Sequence, residues 1–104
     1  MNANGIDRGY MAKNMDNFNF LIHVIDCIGR EFEKEIEFND LGDENYIVAI
    51  DGYEVSLSKD IIDSHKNGYK LDKYILEGAE KKGFSFDKFR SGYVRYCFGL
   101  FYMS

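Results

Sequence analysis

The chain has 104 residues, 45% of them apolar and 16% aromatic, and a formal net charge of −5. Eight Tyr and nine Phe supply enough apolar surface to offset the entropy of ordering one backbone core, which excludes intrinsic disorder, and the length leaves no room for a second core. Two cysteines are too few for a disulfide framework, no secretory leader pattern opens the chain, and no apolar run approaches the roughly 18 residues of a membrane span, so the expected setting is the reducing cytoplasm, away from any bilayer.

Residues 1–13 carry Asn2, Asn4, Gly5 and Gly9 without apolar periodicity and read as a flexible N-terminal tail, with a single α+β domain over 14–104. From Asp16 on, Phe18, Leu21, Ile25, Ile28 and Phe32 advance by three or four, the helical period, and predict one long N-terminal helix capped by Asp16. Glu33 to Phe38 alternates charge with Phe or Ile; it reads as the end of that helix or, preferably, as a strand with Ile36 and Phe38 facing inward. Asn39 to Asn45 reads as a polar loop. Tyr46 to Ile50 and Tyr53 to Leu57 are β-prone runs around Asp51-Gly52, a dipeptide suited to the positive φ angles of a type I′ turn, and predict a tight hairpin in a small antiparallel sheet.

In the second half, Gly68-Tyr69-Lys70-Leu71-Asp72-Lys73-Tyr74 is echoed fifteen residues later by Gly83-Phe84-Ser85-Phe86-Asp87-Lys88-Phe89. Each copy sets one aromatic five residues before another, the spacing of a hydrophobic staple at a helix start, so Tyr69 is expected to touch Tyr74 and Phe84 to touch Phe89. Gly68, Gly83 and Gly92 fall where left-handed caps would close preceding helices. Short helices are therefore predicted over 59–66, 71–82 and 86–91. The final run, Tyr93 to Tyr102, alternates Val94, Tyr96, Phe98, Leu100 and Tyr102 on one side and predicts a C-terminal strand, bulged at Gly99. Two copies cannot stack into a solenoid, so the echo is a repeated capping solution and not a repeat architecture.

Chemistry-bearing constellations are sparse. His23 and Cys27 stand four apart on one helical face, but two ligands are too few for a structural zinc site, and His65 and Cys97 follow no metal spacing. Asp40, Asp43 and Glu44 offer calcium-type oxygens without the alternating spacing or distal glutamate of a helix-loop-helix calcium site, which fits a solvated turn. No phosphate loop, dinucleotide fingerprint or nucleophile elbow occurs. The helices over 59–66 and 71–82 have the length of a helix-turn-helix, yet the second carries Asp72, Glu77 and Glu80 beside its lysines, too acidic for a phosphate-facing surface. The expectation is a non-catalytic protein without metal, cofactor or direct nucleic-acid contact.

Charge is unevenly distributed. From Glu31 to Glu54 nine acids oppose Lys34 alone, a local net of −8, whereas from Lys81 to Ser104 five bases oppose Asp87 alone, a local net of +4. The first segment marks Glu31, Glu33, Glu35, Glu37, Asp40, Asp43 and Glu44 as candidates for docking on a protein partner with a basic surface, although an edge strand would also wear such charges simply to face water. The second marks Lys88, Arg90, Tyr93, Arg95 and Tyr96 as an alternative pocket for a small anionic ligand, combining charge with stacking. The Ile, Asn, Lys and Tyr rich composition without Pro or Trp, the small size and the concentrated acidic segment are together similar to phage-encoded inhibitors of host defence such as anti-CRISPR proteins. That resemblance, which is one of composition alone, implies a stoichiometric inhibitor of a basic nucleic-acid-binding partner.

Overall fold

Asp16 has extended backbone (φ −72°, ψ 170°), and its carboxylate accepts from the Asn19 amide at 2.8 Å, satisfying a first-turn donor that no helix carbonyl can reach. The computed structural model describes residues 4–100, with side chains from residue 8 on. Two helices flank Asp16. α1 spans Asn4–Asn14 and α2 spans Asn17–Phe32, the latter ending where Glu33 turns left-handed (φ 53°). Phe20, Leu21, Val24, Ile28 and Phe32 recur every three or four residues along α2 and form its buried stripe. The expected flexible tail is thus helical over most of its length, and the helix begun by Asp16 is the second in the chain.

Three strands follow: β1 (Glu37–Gly42), β2 (Asn45–Ile50) and β3 (Tyr53–Leu57), antiparallel in the order β1-β2-β3. Asp51 (φ 53°) and Gly52 (φ 83°) join β2 to β3, with Ile50 opposite Tyr53 and Val48 opposite Val55. Asp43 (φ 54°) and Glu44 (φ 59°) make the corresponding two-residue link between β1 and β2. The stretch expected as a loop, Asn39 to Asn45, is therefore strand except for those two residues. Its polar composition suits a strand exposed at an edge, and the Asp40 carboxylate accepts from the Gly42 amide at 2.9 Å where the register shifts.

The sheet buries one face. Tyr46, Val48, Ile50, Val55 and Leu57 point into the core, under α2 and α4 (Lys70–Lys82), the helix that packs on β2, β3 and α2. Gly78 lets α4 approach closely, because a Cβ there would stand 3.0 Å from both methyls of Val55. α3 (Lys59–His65) starts at Ser58, whose hydroxyl accepts from the Ile61 amide, and α4 stops at Gly83 (φ 128°). No described helix is long and apolar enough to cross a membrane.

Four expectations for the second half fail. The predicted C-terminal strand is a helix over its described part, α5 (Gly92–Phe98), with Ser91 Oγ accepting from the Val94 amide and Gly99 left-handed behind it; residues 101–104 lie outside the described residues. Gly92 opens that helix and closes none. Residues 86–91 form no helix, because the Asp87 carboxylate takes the Phe89 amide at 2.9 Å in a local turn. The expected staples are replaced by longer-range contacts. Tyr69 lies 5.9 Å from the rings of both Tyr93 and Tyr96, Tyr74 sits 4.8 Å from His65, and Phe84 packs at 5.2 Å on Phe32, while Phe89 faces solvent.

Candidate interaction surface and a buried charge network

Arg8 of α1 is almost wholly buried, which an arginine reaches only when its five donors find partners. Its guanidinium donates to both carboxylate oxygens of Asp72 on α4, at 3.0 Å to Oδ2, and to the Gly68 carbonyl at 3.1 Å. It also lies 4.4 Å over the Tyr69 ring. The Tyr93 hydroxyl donates to the same carboxylate. No buried side-chain nitrogen or oxygen among the described residues lacks a hydrogen-bond partner. Burial would lower the Arg8 pKa, but the hydrogen bond and charge of Asp72 outweigh it and hold the guanidinium above its ordinary value. Burial pushes Asp72 the other way, upward, against Arg8 and Tyr93. Neither residue stands out in the sequence: one sits in a segment without periodicity, the other 64 positions away.

His23 and Cys27 do meet, with Nε2 3.5 Å from Sγ, and the sulfur also takes an Arg8 N–H at 3.5 Å. Burial raises the Cys27 thiol, and burial together with the Arg8 charge lowers His23. A neutral thiol beside a neutral imidazole is the opposite of the thiolate–imidazolium pair that nucleophilic chemistry uses. Cys97 is raised further by burial. Among the described residues no three His, Cys, Asp or Glu side chains group in a way that could hold a metal ion.

The basic candidates are dispersed. Lys88 pairs with Glu80 at 2.5 Å and sits above the Phe86 and Phe98 rings; Arg90 pairs with Glu31 at 2.7 Å and lies 4.4 Å over Phe32. The Tyr93 hydroxyl belongs to the buried network, Tyr96 lies tilted against Tyr69, and Arg95 stands in the last turn of α5. No cavity unites the five residues among the described pockets.

The acidic candidates divide differently. Glu31 is neutralised by Arg90, and Glu44 accepts from the Asn17 amide group at 3.1 Å. Glu33, Glu35, Glu37, Asp40 and Asp43 are exposed and form no ion pair among the described residues, while Lys34, the one base among them, is held by Asp51 at 3.2 Å. These five carboxylates follow the path from the end of α2 along β1. Glu37 faces Ala49, which in turn faces Glu54, so a sixth carboxylate lies in the same row on the uncovered side of the sheet. There Glu37, Asn39, Ile47, Ala49 and Glu54, with Phe38, line a shallow depression of about 300 Å³. Beside β1, α2 leaves Phe18 42% and Ile22 38% exposed, and Leu41 at the end of the strand is 58% exposed.

No family model matches the chain, and no curated protein or solved structure matches it.

Proposed function

We propose that the protein is a non-catalytic binding module whose β1 side docks on a protein partner with a basic surface, acting as a stoichiometric inhibitor of a nucleic-acid-binding protein. One observation carries this reading. Five exposed carboxylates outside any ion pair among the described residues, Glu33, Glu35, Glu37, Asp40 and Asp43, follow one another from the end of α2 along β1, whereas Lys88 and Arg90, two of the three basic residues of the alternative anion pocket, are already engaged by Glu80 and Glu31. Carboxylates so placed attract a cationic surface over roughly a Debye length, about 10 Å at 0.1 M salt, and so raise the association rate more than they lengthen the life of the complex.

The test is capture of partners from a bacterial lysate by the immobilised chain, with binding rates then measured on the purified partner at about 0.05 and 0.3 M salt. Association should slow at least about tenfold over that range, and the triple variant E33K/E35K/E37K should lose binding while keeping its melting temperature within a few degrees. Binding indifferent to both salt and the triple reversal would reject the acidic-edge reading.

A further inference from the structure

The backbone of β1 says how such a partner would attach. Ile50 and Tyr53 flank a two-residue turn and form its closing hydrogen-bonded pair, so by the alternation of antiparallel ladders Val48 and Tyr46 direct their amides and carbonyls toward β3. Ala49 and Ile47 then direct theirs toward β1, where they meet Glu37 and Asn39. It follows that the amides and carbonyls of Phe38 and Asp40 point away from the sheet. Among the described residues β1 has β2 as its only strand neighbour, and apart from the half-buried Phe38 every residue of the strand is exposed. This edge is an unfilled ladder.

We infer that the open edge of β1 takes up an extended segment of the partner as a fourth strand, and that this segment alternates basic with apolar residues. The inference rests on the acidic-edge reading above and specifies its mode of binding. Side chains of an added strand fall alternately on the two faces of the sheet. On the uncovered face they meet the row headed by Glu37, where a lysine or arginine forms an opposite-charge cross-strand pair. On the other face they lie beside Phe38, with the exposed Asp40 two residues on along the same side; the Phe38 ring is 6.0 Å from that of Phe18, and Ile22, one helical turn further along α2, extends this exposed apolar strip. A second copy of the chain is the wrong occupant, because β1 laid against β1 sets a strand with two acids and no base against itself. Main-chain hydrogen bonds supply affinity in this mode, and alternate side chains supply selectivity.

A labelled eight-residue peptide of alternating lysine and valine serves as the probe. Three companions accompany it: one with glutamate for lysine, one of the same composition with the lysines grouped together, and one N-methylated on the backbone amides of a single edge. The alternating peptide should bind, should slow hydrogen exchange at the Phe38 and Asp40 amides of the full chain, and should lose affinity at least about tenfold on N-methylation, on grouping and on exchange for glutamate. Equal binding of the alternating, grouped and N-methylated peptides, abolished by E33K/E35K/E37K, would overturn strand addition and leave the acidic-edge reading standing. Absence of peptide binding, or a dimer in sedimentation with Phe38 and Asp40 already protected, would also overturn it, with the salt experiment on the captured partner deciding the broader reading independently.

Discussion

Arg8 and Asp72 show how much one pair of side chains can decide. A buried ion pair contributes little net stability compared with apolar residues of the same volume, because desolvating both ions offsets their attraction; removing one member, however, strands the other. Asp72→Ala should cost about 3–5 kcal/mol in urea unfolding, and Arg8→Met a similar amount, since Asp72 is fully buried and keeps only Tyr93 as a side-chain partner. The double variant Arg8→Met/Asp72→Leu should recover most of that loss. Additive losses in the double variant would mean that the two residues contribute separately and not as a pair. Tyr93, assigned from sequence to a ligand pocket, belongs to this network instead, where burial and the adjacent carboxylate raise its phenol well above the ordinary range.

At the scale of elements, Phe84 and Phe89 separate two accounts of one sequence echo. Phe84 is 5% exposed and packs edge-on against Phe32 and beside Phe86, whereas Phe89 is 49% exposed. Phe84→Ala should therefore lose about 3–5 kcal/mol and Phe89→Ala less than about 0.5 kcal/mol in thermal or urea melts. Equal losses would restore the staple. What was legible locally follows the same division. The α+β class could be read from the sequence, as could the starts of α2 and α3, because Asp16 and Ser58 act on amides within three residues of themselves. The C-terminal run was misread because Tyr93 to Tyr102 satisfies a period of two while Val94 and Cys97, three apart, serve as the buried face of a helix. The signal that separates the two is Ser91 before the run and Gly99 within it, a cap at each end of seven helical residues. α1 offered no such signal, since its one fully buried described residue is an arginine, which apolar periodicity cannot register, and the apolar residues that join it against the core, Met11 and Ala12, are adjacent in sequence. Nor could the sequence tell which acids stay free: Glu31 and Glu44 look like their neighbours until the fold brings Arg90 and Asn17 beside them.

For the whole molecule, the radius of gyration of 13.1 Å equals that of a compact domain of about 100 residues, which places α1 within the body and not on a trailing arm. The opposed charge of the acidic 31–54 and basic 81–104 segments is partly cancelled in space where Glu31 meets Arg90, while Lys88 is engaged by Glu80 nearby in sequence. The excess left at β1 repels itself. Adding salt from about 0.02 to 0.3 M should then raise the melting temperature of the free chain, and E35Q/E37Q should raise it at low salt and flatten the salt response. A melting temperature that falls with salt in both proteins would show that ion pairs, and not repulsion at the edge, govern the electrostatics of the fold.

The span between Arg8 and Asp72 has a further consequence during synthesis. A ribosome releases α1 well before α4, so the guanidinium of Arg8 does not meet its carboxylate partner until residue 72 has emerged, and the hydroxyl that completes the set arrives only with residue 93. Until then, docking α1 would bury an unpaired cation, which is costly enough to keep the helix undocked. The sheet and α2 involve closer partners and are free to assemble earlier, as local contacts do. α1 is thus made before α2, the sheet and α4 but seated after them, and its seating waits until residue 93 has been translated.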